Sequence, residues 1–231
     1  MLKRFVMILM VLGLIVASTS LVAAVEINSI TGTWANPSPV SGITINNTNL
    51  SLVTARWGDP VSGSGQSGYN FAPATTPFSP SLGLPGFVLG EFTHLNFPIT
   101  GTTLSSIDLL FSVGITGASP LTLSSPFHFT HNETPNSYPA GDPRNNDIVG
   151  VTPALNQQFS IGSDTYFFHL MGFSQDAGLS FMTEFSTVEG QQNIASLYGE
   201  ITRVPVSTPE PLTLVLLGLG IVGVAGLRRK K

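Results

Sequence analysis

The chain has 231 residues, of which 42% are hydrophobic and 10% charged, with 24 glycines, 17 prolines and no cysteine. This length and apolar content fit one folded domain with short additional segments, and they exclude a wholly disordered chain or a collagen-like repeat. Without cysteine, the chain has no disulfide bond, thiolate metal site or cysteine nucleophile.

Charge is distributed unevenly along the sequence. Six of the nine basic residues lie at the two ends, and the stretch 25–208 contains three arginines, no lysine and twelve acidic residues. An acidic surface repels phosphate backbones, so we expect no nucleic-acid partner. The same balance is compatible with divalent cations or neutral sugars and, more simply, with a soluble exported protein.

Residues 1–24 have the pattern of a secretory signal peptide. Lys3 and Arg4 precede twelve apolar residues, 5–16, and this length is within the roughly 7–15 residues of a signal core and too short to span a bilayer. Small residues follow, and Ala24 ends a candidate cleavage site. We therefore expect an exported chain that starts near residue 25, with an uncleaved anchor as the alternative.

Apolar and polar residues alternate with period two through much of the stretch 25–204, which is typical of strands. The clearest strand is 107–115, and in 95–99 the apolar Leu95, Phe97 and Ile99 oppose His94 and Asn96. Further strands are predicted at 50–57, 87–92, 121–131, 166–171, 181–185 and 194–204, with long loops at 58–86 and 132–147. Many short strands between turn residues predict an all-β, antiparallel, jelly-roll-like sandwich, with a closed barrel as the alternative.

One histidine-rich strand offers candidate metal ligands. On a strand, His131 and Glu133 share a face with Phe129, whereas His128 points the other way. We therefore favour a hydrogen-bonded His131–Glu133 pair over a transition-metal site.

An oxygen-rich stretch follows at 142–147. Asp142, Asn145 and Asp147, with Asn146, are calcium candidates because calcium prefers oxygen ligands in loops. Their spacing departs from the EF-hand pattern, and a turn built on Asx hydrogen bonds explains the same residues without a metal. We expect no other cofactor.

Catalytic patterns are sparse. Glutamates at 91, 133, 184, 189 and 200 could supply the carboxylate pair of a hydrolase, but no nucleophile elbow or phosphate-binding loop is present. Trp34, Trp57 and Tyr69 could stack on sugars if exposed, with core packing as the alternative, favoured for Trp57.

The C-terminal end has three parts after a linker at 205–208. Pro209, Glu210 and Pro211 precede sixteen uncharged residues, 212–227, and these precede the basic tail Arg228, Arg229, Lys230 and Lys231. A helix over 212–227 measures about 24 Å, somewhat less than the ~30 Å hydrocarbon core, and snorkelling of the basic side chains could supply the difference. The positive-inside rule places the tail in the cytoplasm and residues 25–208 outside.

This arrangement at 209–231 resembles the PEP-CTERM sorting signal of Gram-negative bacteria. The resemblance implies recognition by an exosortase, a membrane-embedded cysteine transpeptidase-like enzyme that is thought to cut near Pro209-Glu210-Pro211 and release or re-anchor the protein. A plain single-pass anchor is the alternative.

Four stretches within 27–204 resemble the choice-of-anchor K domain, a surface domain attached to various anchoring tails. The resemblance implies no established activity, and it rests on Arg56, Trp57 and Gly58; on Gln66–Tyr69 with Phe71; on 92–99, which includes His94 and Asn96; and on 129–136, which includes His131, Glu133, Thr134, Pro135 and Asn136. We therefore expect a non-enzymatic envelope or matrix protein, held in inner-membrane lipid or released to the surface. The alternatives are a carbohydrate- or calcium-binding module acting on exopolysaccharide and an extracellular hydrolase.

Overall fold

The computed structural model describes residues 25–61, 63, 65–116, 121–122, 126–152, 157–205 and 218–219. The predicted signal peptide, the Pro209–Pro211 motif, the basic tail and most of the predicted 212–227 helix lie outside these residues. Within them, no helix is long and apolar enough to cross a membrane.

The described residues form fifteen strands and one turn of 3-10 helix, Pro143–Asn145, so the all-β prediction is confirmed. The strands are β1 (Ile27–Ser38), β2 (Ile43–Asn46), β3 (Val53–Trp57), β4 (Asp59–Pro60), β5 (Ser67–Pro73), β6 (Phe87–Asn96), β7 (Ile99–Thr100), β8 (Ser106–Ile115), β9 (Leu121–Thr122), β10 (Phe127–Asn132), β11 (Asp147–Thr152), β12 (Gln157–Ile161), β13 (Asp164–Ser174), β14 (Glu184–Thr187) and β15 (Gln191–Arg203).

These strands form two large antiparallel sheets. The six-stranded sheet has the order β1-β8-β10-β11-β14, with β9 paired to β8, and the seven-stranded sheet has the order β12-β13-β15-β6-β5-β3-β2. Strands β4 and β7 form a separate two-stranded ladder. In the described part of the chain the ladders form separate sheets rather than one closed sheet, and neither order was predictable from alternation alone.

Aromatic side chains fill the space between the two large sheets. Phe92 of β6 stacks on Phe129 of β10 at 5.2 Å between ring centroids, and Phe71 of β5 contacts Phe111 of β8 at 6.0 Å. All four rings belong to one buried cluster that draws residues from both sheets. Burial of these faces is the main source of stability in a domain without disulfides.

The prediction that 58–86 is one long loop was wrong. Strand β5 lies inside this stretch, between β3 and β6 in the seven-stranded sheet, and Tyr69 and Phe71 of β5 are fully buried. The density of glycine, proline and serine around β5 obscured its short alternation. Pairing on both sides compensates for the weak local β propensity of its Ser67 and Gly68.

Candidate metal centre

Two histidines and an aspartate lie together between the sheets. His94 comes from β6 of the seven-stranded sheet, His131 from β10 of the six-stranded sheet, and Asp147 is the first residue of β11. His94 and Asp147 are fully buried, and His131 is 7% exposed. One candidate ligating atom from each residue lies within 4.8 Å of those of the other two. These three side chains could therefore hold a metal ion.

A β-bulge turns His94 toward the core. In β6, Leu89 is an extra residue between the two positions that pair with consecutive residues of β15. Beyond this bulge His94 and Asn96 are fully buried, whereas Leu95 and Phe97 are only half-buried. The apolar alternation of 95–99 favoured the opposite face, and that expectation was wrong because one extra residue reverses which side chains face inward.

The protonation of His94 follows from its hydrogen bonds. Its Nδ1 lies 2.9 Å from Thr187 Oγ1, and the Thr187 hydroxyl donates to the Asp147 carbonyl oxygen at 3.2 Å. Because the single O–H of Thr187 is already used in that hydrogen bond, its oxygen can only accept a hydrogen bond from His94 Nδ1–H. The lone pair of the neutral ring is therefore on Nε2. Burial, and then the neighbouring His131, hold the pKa of His94 well below its usual value, so the ring is neutral. The buried Nε2 makes no hydrogen bond within the described residues.

His131 lies at the centre of the cluster that it forms with His94 and Asp147. The Tyr69 hydroxyl is 2.8 Å from its Nδ1, and its Nε2 is 3.1 Å from Glu133 Oε2 and 3.7 Å from Asp147 Oδ2. The expected His131–Glu133 pair is therefore present, and the alternation predicted for β10 is found, with His131 inward and His128 exposed. The Nε2 atom of His131 thus faces the carboxylates of both Glu133 and Asp147.

Asp147 has one satisfied and one unsatisfied carboxylate oxygen. Its Oδ1 accepts the Thr134 backbone N–H at 2.8 Å, and its buried Oδ2 makes no hydrogen bond within the described residues. Burial, followed by the charge of Glu133, raises the pKa of Asp147 to about 7. Burial and Glu133 likewise raise the pKa of Glu189. Three carboxylates therefore repel one another at this end of the domain.

Aromatic rings surround the two histidines. The Trp57 ring centroid lies 5.2 Å from that of His131 and 6.0 Å from that of His94, and the Tyr69 centroid lies 5.2 Å from that of His94. Burial, and then the charges of Asp147 and Glu133, raise the pKa of Tyr69, so its hydroxyl stays protonated. Such an environment strengthens electrostatic interactions within the cluster.

The neighbours of Trp57 have structural roles. The Arg56 guanidinium donates to the Tyr69 carbonyl oxygen at 2.9 Å and to Asn70 Oδ1 at 2.6 Å, which ties β3 to β5. Gly58 has a φ of 72°, and a Cβ there would collide with Ile99. These contacts hold Trp57 in the wall of the cluster.

An open groove of about 530 Å³ lies beside the cluster. Glu133, whose side chain is 13% exposed, lines this groove and also contacts His131. The other lining residues are Val61, Pro98, Ile99, Thr100, Gly101, Thr103, Thr134, Pro135 and Asn136. Glu133 therefore stands between the buried histidine and solvent.

The three calcium candidates have different surroundings. Asp142 is bound by the backbone and guanidinium of Arg144, and Asn145 exchanges hydrogen bonds with the backbone of Tyr138. Asp147 instead enters the core beside His131. The Asx-type turn at Asp142 matches the metal-free explanation, and calcium binding stays a prediction.

The aromatic candidates for sugar stacking are not on the surface. Trp34 is 2% exposed, and Trp57 and Tyr69 are fully buried. The hypothesis that they stack on sugars is therefore wrong for this fold, since opening the core would be required to expose them. The exposed His128 pairs with Asp108 at 2.8 Å and lies on the outer face of its sheet.

Sequence reasoning missed Thr187 and the meeting of the other residues. Thr187 is the last residue of the short strand β14 and carries no local chemical signal. Glu189 was considered only as one carboxylate of a hydrolase pair, and Asp147 was placed in a loop. In contrast, Trp57, Tyr69, His94 and His131 all lie in stretches that carry the choice-of-anchor K resemblance. The fold brings these four stretches to one place.

Comparison with known proteins identifies one segment. Residues 207–230 match the PEP-CTERM protein-sorting motif family, whereas no curated protein matches the chain. The match covers Pro209, Glu210 and Pro211 and most of the basic tail. It does not extend into the strand-rich region 27–203, hereafter the β-domain, so the choice-of-anchor K resemblance stays a prediction. The chain thus carries a PEP-CTERM sorting motif, which indicates an exported protein that undergoes membrane-associated sorting by an exosortase.

Proposed function

We propose that this exported protein is a non-enzymatic structural or adhesive module of the cell envelope or extracellular matrix. The observation that carries the proposal is the sorting motif at 207–230. Sorting signals of this kind determine where the domain that precedes them is located. The β-domain is then the part that works outside the cytoplasm.

Both ends of the chain contribute to this route. The segment 1–24 directs export and is removed, and the uncharged segment 212–227 holds the chain in the inner membrane as a helix. The four basic residues after 227 stay in the cytoplasm by the positive-inside rule. Exosortase and membrane lipid are the partners of this stage, and cleavage near Glu210 releases the domain.

The β-domain suits display outside the cell. Its jelly-roll-like, choice-of-anchor K-like sandwich is stabilised by a large aromatic core rather than by disulfides, and its acidic surface keeps it soluble. Neutral exopolysaccharide is a compatible neighbour for such a surface, whereas nucleic acid is not.

A carbohydrate-binding module is the second candidate, and the groove beside Glu133 supports it. The groove has a volume of about 530 Å³ and combines the apolar Val61 and Ile99 with polar groups of Thr100 and Asn136. Small-ligand sites have similar sizes and mixed linings. A glycan array with the full chain tests this function. Binding that Asn136→Ala abolishes supports it, and no binding to any glycan contradicts it.

The sorting route is tested by substitution of the motif. Wild-type, Glu210→Gln and control Glu91→Gln chains are expressed with and without the exosortase, and each mature form is weighed after fractionation. We expect wild type and Glu91→Gln, whose exposed site is far from the motif in sequence, to lose the tail only when exosortase is present. Glu210→Gln should remain full-length in the membrane fraction. Identical masses and locations with and without exosortase would contradict the proposal.

To test the structural role, the gene for this protein is deleted. The deletion should weaken surface adhesion or matrix cohesion, and return of the wild-type gene should restore both properties. Unchanged adhesion and cohesion in the deletion strain would refute the structural or adhesive role while leaving the sorting route intact.

A further inference from the structure

We propose that His94, His131 and Asp147 bind a divalent transition-metal ion, with Zn²⁺ as the first candidate, and that Glu133 completes the site from the groove. This assignment is independent of the sorting route. It gives the β-domain a ligand that its location alone does not imply.

The spacing of the donor atoms is close to what zinc requires. Zinc bonds of about 2.0–2.2 Å at tetrahedral angles place neighbouring ligand atoms about 3.3 Å apart. His131 Nε2 lies 3.7 Å from Asp147 Oδ2 and 3.1 Å from Glu133 Oε2, and the ligating atoms of His94, His131 and Asp147 all lie within 4.8 Å of one another. Small rotations of the side chains are enough to close the set around one ion.

Two of the proposed donor atoms have no hydrogen-bond partner among the described residues. His94 Nε2 and Asp147 Oδ2 make no hydrogen bond there, and both residues are fully buried. Buried polar atoms are nearly always hydrogen-bonded, and exceptions require an explanation such as an ion. A metal ion satisfies both atoms together because it accepts lone pairs from nitrogen and oxygen alike.

The outer contacts present the histidines as ligands. The Nδ1 of His94 donates to Thr187, and the Nδ1 of His131 contacts the Tyr69 hydroxyl, so the Nε2 atom of each ring is the one directed to the ion. Metal-binding histidines ordinarily use their other ring nitrogen in this way. Asp147 is likewise held through its Oδ1 by the Thr134 backbone.

The charges near the cluster also favour a cation. Asp147, Glu133 and Glu189 bring three carboxylates together, and the described residues contain no lysine and only three arginines. Of these, Arg144 and Arg203 pair with Asp142 and Asp164. A divalent cation would relieve the repulsion that burial intensifies.

The donor set selects the class of metal. Two imidazoles with one or two carboxylates suit zinc or iron(II), whereas calcium prefers six to eight oxygen ligands. The bound ion would join β6 of one sheet to β10 and β11 of the other. It would therefore act as a cross-link between the sheets of a domain that has no disulfide.

The first experiment uses the full chain, purified in detergent and stripped with a chelator. Wild type, His94→Gln and the control His128→Gln, which changes an exposed histidine of β10, are titrated with Zn²⁺ against a competing chelator. We expect about one Zn²⁺ per chain and a raised melting temperature for wild type and His128→Gln. His94→Gln should lose at least about 100-fold in affinity, since loss of outer contacts alone costs about 10–100-fold.

Three results of this experiment would overturn the proposal. The first is the absence of stoichiometric zinc in wild type. The second is equal affinity for zinc in His94→Gln and His128→Gln, which would indicate surface binding. The third is a rise in melting temperature with Ca²⁺ equal to that with Zn²⁺, because the two imidazoles would then be irrelevant.

A second measurement covers the case in which His94→Gln does not fold. Co²⁺ added to the stripped wild type should give the visible absorption of a tetrahedral nitrogen–oxygen site, and Zn²⁺ should displace it. Glu133→Gln, changed at the groove edge, should fold and alter that spectrum. An unchanged visible spectrum on addition of Co²⁺ refutes the site. Either result leaves the exosortase experiment unaffected.

Discussion

Replacement of Phe92 by alanine tests whether the two sheets are held together by their shared aromatic core. Phe92 is fully buried in β6. Five aromatic rings have centroids 4.8–6.3 Å from its own, and they come from both sheets: Trp34, Tyr69, Phe129, Phe173 and Phe185. The Phe92 ring therefore fills the centre of the interface.

The expected loss follows from the size of the cavity and the rigidity of its lining. A fully buried Phe→Ala change costs about 3–5 kcal/mol in free energy of unfolding, because the apolar contacts are lost and the surroundings collapse only partly. Here the surrounding rings belong to paired strands of two sheets, so little collapse is expected. In a domain of this size that loss lowers the melting temperature by roughly 6–20 °C.

The matched control is Phe167→Ala, in which the same side chain is removed from β13. Phe167 is half-buried, and its neighbours Tyr166 and Phe168 are the residues that face the core. We expect this change to cost less than about 1 kcal/mol. Urea unfolding of the full chain in detergent, followed by tryptophan fluorescence, measures both variants. Equal losses in the two variants, or a loss below about 1 kcal/mol for Phe92→Ala, would refute the packing argument.

Three further outcomes are expected. Tyr69→Phe should lower the free energy of unfolding by about 1–3 kcal/mol, because a buried nitrogen of His131 loses its partner, and urea unfolding that equals wild type would contradict this. Gly58→Ala should cost at least about 1–2 kcal/mol, because its φ is 72° and the added Cβ would also collide with Ile99, and an unchanged melting temperature would contradict it. Hydrogen bonds from Ser180, chiefly, hold the pKa of Asp176 at about 2, so the stability it provides is present above its ordinary 3.8 and is lost as pH falls through about 2. NMR titration of the Asp176 carboxyl should show this midpoint, and Ser180→Ala should raise it; a midpoint near 3.8 in the wild type would refute the assignment.

Local sequence patterns were enough to predict the class of fold and the sorting signal of the protein. The alternation of 107–115 corresponds to β8, and the polar–apolar pattern around His131 correctly placed its side chain inward. The tail at 209–231 was readable for a different reason: a sorting signal is recognised as a linear segment, and residues 207–230 match such a family. Both patterns involve residues that are close together in the sequence.

The candidate metal centre depended on relations between distant residues. His94 faces the core because Leu89 forms a bulge against β15, and a bulge depends on the pairing of two strands that are about a hundred residues apart. Asp147 reaches His131 because β10 and β11 pair, and His94 meets both because the two sheets share one buried core. Strand pairing and sheet packing are decided by the burial of the whole core. The sequence therefore showed which chemical groups were available, and only the tertiary structure determined that these three share one buried space.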